Sequence, residues 1–249
     1  MKNTHLEFHQ FFKKPTAFEG HYNTIREKEG RILSLEQIRQ LPKTPGHYQH
    51  HQEWNKRIRS TARFLKYLSK HEVQSMLDVG CGNGWLMYKT APLVSELTGL
   101  DINKLELEQA ANVLTDCDNV TLTYGDLFKI DTAPVYDLVL FNASVQYFPD
   151  LGQLLKRVRL FLKPKGEVHI LDSPFYNDEQ TAQAAKRRTQ AYYENNGVGE
   201  MADFYHHHTF QDLSAFDYKV LYDPHSLIQK FKRKLMTDIP LYWISIKFD

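Results

Sequence analysis

A short apolar strand that runs into three alternating glycines limits the fold of this chain more than any other feature of its sequence. The run is Leu77-Asp78-Val79-Gly80-Cys81-Gly82-Asn83-Gly84-Trp85. Glycine has no β-carbon, so a turn at Gly80, Gly82 and Gly84 can take left-handed backbone angles and bring backbone N–H groups close to a ligand. A strand, a tight turn built for close contact and a following helix are therefore expected here.

Two ligand classes use such a turn. A dinucleotide fingerprint, G-x-G-x-x-G/A, needs a small last residue so that helix packs on strand, and Trp85 at that position is too bulky. Asp101 follows at the end of the next strand, about 20 residues on, where a carboxylate can accept hydrogen bonds from both hydroxyls of a ribose. Singly, these glycines and this acid make only loops; together, in a βαβ context, they point to an adenosine. The spacing G-x-G-x-G, with Asp78 two residues ahead, resembles motif I of the class I S-adenosylmethionine-dependent methyltransferases. The resemblance implies that Asp78, Gly80, Cys81, Gly82, Asp101 and Ile102 hold S-adenosyl-L-methionine, which leaves as S-adenosyl-L-homocysteine.

The surrounding pattern fits that fold class. From about Val73, short apolar strands alternate with helices, the signature of βαβ units on a parallel sheet. Strands are expected at 75–79, 96–102, 120–124, 137–142 and 167–171. Between the last two, Leu151, Leu154, Leu155, Val158 and Leu162 recur at helical spacing, with Pro164 and Gly166 ending the helix. Later strands at 218–222 and 241–248 are read as an antiparallel pair closing the sheet edge. The expectation is an α/β, Rossmann-like, doubly wound and mostly parallel seven-stranded sheet with an antiparallel edge strand. Residues 1–70 lack strand alternation and are read as an N-terminal helical cap. Within it, Ser34 and Gln37 have capping-box spacing, and a helix over 51–70 places Trp54, Ile58, Leu65 and Leu68 near one face. Residues 71–249 form the core, with an insertion near 176–215 whose helix spans 178–195. A chain of 249 residues can bury roughly 70 to 75% of its unfolded surface, so one core suffices without staples.

The family resemblance covers about Val73 to Pro174. Gly125-Asp126-Leu127 looks like the family's adenine site, which implies that Asp126 accepts from the exocyclic amine and that the Leu127 N–H meets the ring. By itself, an Asp after a strand is an ordinary helix cap. Asn142 ends the fourth strand beside Ala143, Ser144, Val145 and Gln146, where the family lines the methionine part of the cofactor; a strand-end turn residue is the plain alternative. Enzymes that methylate an exocyclic base nitrogen carry [N/D]-P-P-[Y/F] here, and Asn142-Ala143-Ser144-Val145 departs from it, which disfavours DNA adenine methylation. Leu162-Lys163-Pro164-Lys165-Gly166 resembles the family's turn before the fifth strand.

The acceptor side is less constrained. Tyr22 and Arg26 are four apart and share a helix face, and the resemblance makes their segment a lid over the cofactor. They are expected to face the active site, with Arg26 binding a carboxylate or the cofactor; a surface helix is the plainer alternative. Tyr147, Tyr176 and His206 are further substrate candidates. For a hydroxyl or protonated amine acceptor, a general base is expected near the cap, drawn from His47, His50, His51, Tyr147, Tyr176, Tyr205 and His206–His208. No single catalytic residue is assigned. Three consecutive histidines fan apart on either a strand or a helix, so a solvated loop is expected rather than a metal site.

Charge and cysteine usage narrow the partners. The net charge of +1 gives no long-range pull towards a polyanion, which disfavours nucleic acid. The basic run Lys230-Phe231-Lys232-Arg233-Lys234 is read as a solvated face in preference to a nucleic-acid or membrane contact. Two cysteines, one inside the glycine turn, suit a reducing, cytoplasmic setting, and no stretch approaches the roughly 20 apolar residues of a membrane span. The aromatic-rich ends are compatible with a homodimer. The resulting expectation is a methyltransferase that moves a methyl group by in-line displacement to O or N of a small-molecule substrate. An RNA or protein methyltransferase, an aminopropyl transferase, or an adenosyl-cofactor-binding protein without methylation activity are the alternatives.

Overall fold

The computed structural model describes residues 5–7, 16–131 and 135–248. In chain order its elements are β1 (His5–Glu7), α1 (Ala17–Lys28), α2 (Leu35–Gln40), α3 (His51–Leu68), β2 (Ser75–Val79), α4 (Trp85–Thr90), β3 (Glu96–Asp101), α5 (Lys104–Val113) and β4 (Val120–Tyr124). They continue with β5 (Tyr136–Asn142), α6 (Leu151–Arg159), β6 (Leu162–Ser173), α7 (Glu179–Asn195), β7 (Asp217–Tyr222), α8 (Leu227–Leu235) and β8 (Tyr242–Lys247).

Side-chain oxygens start most of the longer helices. Thr16, Ser34, Asn103, Asp150 and Asp178 each accept the backbone N–H three residues on, the N-cap arrangement that satisfies an otherwise orphaned donor. At Ser34 the reciprocal bond from Gln37 is also made, so the expected capping box is complete.

The strands form one sheet in the order β1-β4-β3-β2-β5-β6-β8-β7. All neighbours run parallel except β8, which is antiparallel to both β6 and β7. The expected mostly parallel sheet is thus present, and β7 and β8 make the anticipated antiparallel pair. The antiparallel member, β8, lies inside that edge, between β6 and β7. An eighth strand joins at the other edge, where β1 pairs with β4 through His5 and Thr121; the N-terminal stretch, read as free of strands, therefore contributes one.

The helical spacing that reached Leu162 was misleading. Helix α6 stops at Arg159, and Leu162 already pairs with Tyr136 as the first residue of β6. Lys163 to Gly166, expected as a turn, lies within that strand at an irregularity in the pairing with β5. Cross-strand pairing and burial of Leu162 outweigh the local helical period there.

Alternating side chains bury both sheet faces, as parallel strands require. Met76, Leu138 and Leu140 pack with Phe64 of α3, Met87 of α4 and Ala110 of α5 in one apolar cluster. Leu77, Val139 and Phe141 face the other way, onto Leu151, Leu154 and Val158 of α6. A third cluster stands off the sheet: Ile25 of α1 meets Tyr193 of α7, Val198 and Met201. The N-terminal helix therefore packs on the segment after β6.

Candidate active site

The chain proceeds outward from β2 to β3 and β4, then returns to the other side of β2 with β5. Ligand crevices in open α/β sheets form at the carboxyl ends of strands where the order reverses in this way. A cavity of about 700 Å³ lies there, within the roughly 300–1,000 Å³ usual for small-molecule sites. Every residue expected around the cofactor, from Asp78 to Asn142, lines it.

The glycine turn forms as its sequence requires. Gly80 has φ +75°, and a β-carbon there would lie 2.5 Å from the Ser144 β-carbon. Gly82 has φ +54°, and its N–H donates to Asp101 Oδ2 at 2.7 Å, tying the turn to the end of β3. Gly84 serves packing: its missing β-carbon would come within 2.9 Å of Ala110 on α5.

The sheet side of the cavity is a wall of acceptors. Asp101 also takes the Asn103 N–H on Oδ1, at 2.8 Å. Asp78 is buried, and its Oδ1 has no hydrogen-bond partner among the described residues; the same holds for Asn142 Oδ1. Burial, with the charge of Asp101 added, pushes the Asp78 carboxyl up to about 7. Burial also raises Asp101, against the backbone amides of Gly82, Asn103 and Ile102, and raises Glu106, where the Asp101 charge adds to it. Glu106 received no role from the sequence because, three residues after Asn103, it is an ordinary first-turn acid of α5. Only the fold shows it beside Gly82. Buried acceptors without donors suit a ligand that brings hydroxyls and a cation.

Asp126 faces the cavity and, with no helix after it, closes a turn in place of the expected helix cap. Its Oδ1 accepts from the Phe128 N–H at 3.0 Å and its Oδ2 lies 3.2 Å from Lys129 Nζ, while the residue lines the cavity together with Leu127.

Helix α1 covers the opposite side. Tyr22 and Arg26 both line the cavity, with Arg26 Nη2 donating to the Tyr22 hydroxyl at 2.8 Å. Tyr147 meets Tyr22 edge-on at 5.9 Å between ring centres, and Phe18 packs on both. Burial pushes the Tyr22 and Tyr147 phenols up, so both stay protonated at neutral pH. Glu29 lies 2.8 Å from Arg31 Nε but 3.4 Å from Arg26 Nη1, so Arg26 is the less committed of the two guanidiniums. The cap continues the charge alternation: Arg31 pairs with Glu53 at 2.5 Å, and Arg57 with the buried Asp172 at 3.2 Å. Phe18, Arg31, Arg57 and Phe204 also line the cavity. No motif signalled them, although Trp54, which lines it too, lies on the predicted apolar face of α3.

Tyr176 and His206 do not reach this cavity. The Tyr176 N–H donates to the His208 carbonyl at 3.0 Å, and the His206 N–H to the Gln146 carbonyl at 2.7 Å. Nor is the histidine run a solvated loop. His208 is buried with its ring 3.2 Å from the Val145 carbonyl, and His207 lies 2.9 Å from Thr189 Oγ1. His50 and His51 bond the backbone carbonyls of Glu29 and Thr44. Of the expected pool of bases, Tyr147 alone is among the lining residues. Among the described residues, no group of three or more His, Cys, Asp or Glu is arranged to hold a metal ion.

Comparison with known proteins agrees with this geometry. A family model described as "Methyltransferase domain" matches residues 70–235. The chain is 31% identical over 104 residues to the malonyl-[acyl-carrier protein] O-methyltransferase of Halalkalibacterium halodurans, covering 39% of this chain and 38% of that one. It is 32% identical over 117 residues to the trans-aconitate 2-methyltransferase of an Enterobacter species, covering 46% and 45%. The chain thus spans less than half the length of these curated relatives. Among solved structures, the plantazolicin methyltransferase BpumL in complex with SAH superposes with a TM-score of 0.51 at 17% identity, over 90% of this chain and 99% of that one, a likeness of fold. On the family match and the shared architecture, the chain belongs to the S-adenosylmethionine-dependent methyltransferases of the Rossmann-like class I fold.

Proposed function

We propose that this chain transfers a methyl group from S-adenosylmethionine to a small-molecule acceptor, and that the acceptor nucleophile is a carboxylate oxygen. The observation that carries this reading is the make-up of the cavity wall: acceptors on the sheet side, a protonated Tyr22–Arg26–Tyr147 group on the cap side, and no histidine among the described lining residues. The cofactor, when bound, supplies an electrophilic methyl group on a sulfonium.

The residues fit that cofactor. Asp101 has lone pairs left for ribose hydroxyls after accepting from Gly82 and Asn103. Asp126 and the Leu127 N–H are suited to an adenine edge. The unpartnered oxygens of Asp78 and Asn142 suit an ammonium group. Phe18, Tyr22, Tyr147 and Phe204 line the cavity with aromatic side chains that exclude water.

The protein's main contribution is then positioning, which can supply roughly 7–11 kcal/mol when reacting atoms are held in line. A hydroxyl or protonated amine would need a base. On the cap side the lining tyrosines are held as phenols and Glu53 is paired with Arg31 and Arg57, while the acids Asp78, Asp101 and Glu106 belong to the sheet side assigned to the cofactor. A carboxylate needs none. Arg26, weakly engaged by Glu29, is placed to hold such an anion by a charge-assisted pair. Two of the curated relatives are named as a malonyl-[acyl-carrier protein] O-methyltransferase and a trans-aconitate 2-methyltransferase, names that support an acid acceptor.

The test is a screen of small carboxylic acids, amines and phenols for formation of S-adenosylhomocysteine, with Arg26→Gln beside the parent protein. Turnover of acids, and a KM for the acid raised about tenfold or more in Arg26→Gln, is expected from loss of a charge-assisted bond. Turnover confined to amines or phenols would remove the carboxylate reading, and cofactor binding with no turnover of any acceptor would leave a binding protein.

A further inference from the structure

Helix α8 does not bury its apolar side. Leu227, Ile228, Phe231 and Leu235 are 85%, 67%, 65% and 72% exposed, whereas no other large apolar side chain among the described residues exceeds 52%. At about 100° per residue these four fall in one stripe roughly 100° wide. Lys234 flanks one edge of the stripe and Lys232 the other, and Gln229 and Lys230 occupy the opposite side. Lys230, Lys232 and Lys234 are all exposed. A helix of nine residues is marginal in water without something to pack on, and an amphipathic helix of a globular protein normally turns its stripe to the core.

We propose that α8 is a docking surface for an anionic membrane. The stripe would enter the boundary between headgroups and acyl chains, while Lys232 and Lys234 lay their stems along it and raised their ammonium groups to lipid phosphates. Lysine on both edges of an apolar stripe is the charge pattern that a flat anionic plane complements. A nucleic acid would satisfy the lysines and leave the stripe in water. The topology also gives the helix a location. Strand β7 ends at Tyr222 and β8 begins at Tyr242, next to Leu171–Ser173 at the carboxyl end of β6. The loop carrying α8 thus leaves and re-enters at the sheet edge that holds the cavity.

Co-sedimentation of the full chain with vesicles of phosphatidylcholine plus phosphatidylserine, and of phosphatidylcholine alone, tests the proposal. Binding to the mixed vesicles and weaker binding to the neutral ones is expected. Lys232→Glu with Lys234→Glu should lower partitioning by about 25-fold or more, from about fivefold for each charge lost. Phe231→Ser should lower it about tenfold or more, with an unchanged thermal midpoint because the side chain is exposed. Phe231→Trp should show a blue-shifted emission on the mixed vesicles. Absence of binding to the mixed vesicles overturns the proposal, as does binding that both charge-reversed and Phe231→Ser proteins retain. A dimer that Phe231→Ser splits, or salt-sensitive duplex binding, in a protein that ignores vesicles would assign the stripe to a second copy or to nucleic acid and overturn it equally.

Discussion

Asp78→Asn should stabilise the unliganded protein at alkaline pH while it weakens cofactor binding. The buried Asp78 carboxyl stands at about 7, against an ordinary value of 3.8. Because the folded value is the higher one, the folded state holds a proton that the unfolded state has released, and the associated stability is present at low pH and lost as pH rises through about 7. At 1.36 kcal/mol per pKa unit, ionising this group costs the folded state about 2 kcal/mol more at pH about 8 than at pH about 5.5. Asparagine has the shape of the protonated acid and cannot ionise, so it lacks this slope. Urea unfolding of both proteins at the two pH values gives the double difference directly. His169, which burial holds down, and Asp101 and Glu106, which burial pushes up, titrate in both proteins and cancel apart from the Asp78–Asp101 coupling. The expected advantage of Asp78→Asn grows by about 2 kcal/mol between the two conditions, or by about 4–8 °C in thermal midpoint for a chain of this size. Parallel stability curves would refute the claim that burial raises this carboxyl.

The same physics sets further expectations. Cofactor affinity, measured calorimetrically, should weaken as pH falls through about 7 towards 6, because protonation of Asp78 and the raised neighbouring acids removes acceptors; a flat profile over that range would exclude the acidic wall as the binding surface. Asp101→Ala should lose about 2–4 kcal/mol of cofactor affinity, for two charge-assisted bonds partly replaced by water, and undiminished binding would refute the ribose role. Gly80→Ala combines φ +75° with a β-carbon 2.5 Å from Ser144 and should cost about 2–4 kcal/mol in denaturant unfolding. A loss below about 0.5 kcal/mol, the scatter of neutral surface changes, would show that the turn relaxes freely.

The legibility of this fold followed the range of the interactions involved. Strand β2, its glycine turn and the capping box at Ser34 are fixed by neighbours within a few residues, and their bounds could be read directly. Leu162 failed because a helical period and a strand register compete at the same apolar residue, and the winner is decided by Tyr136 across the sheet. The position of β8 between β6 and β7 depends on a return of the chain that no local pattern records. Tyr22 and Arg26 were legible as one helix face, but their approach to the cavity rests on Ile25 packing against Tyr193, Val198 and Met201.

The electrostatics of the site were the least legible part, for a reason of kind. Asp78, Asp101 and Glu106 each have a sufficient local explanation: a strand residue, a strand end and a first-turn acid. Their common property, half-buried carboxyls gathered around a buried Asp78 with more acceptors than donors, exists only after β2 and β3 pair and α5 closes over Gly82. That property makes these acids costly to ionise, and a cationic, hydroxyl-bearing ligand relieves the cost by supplying the missing donors. Affinity for the ligand and the cost of ionising these acids therefore share one cause, and this is why Asp78→Asn should lower both, weakening cofactor binding while it stabilises the protein.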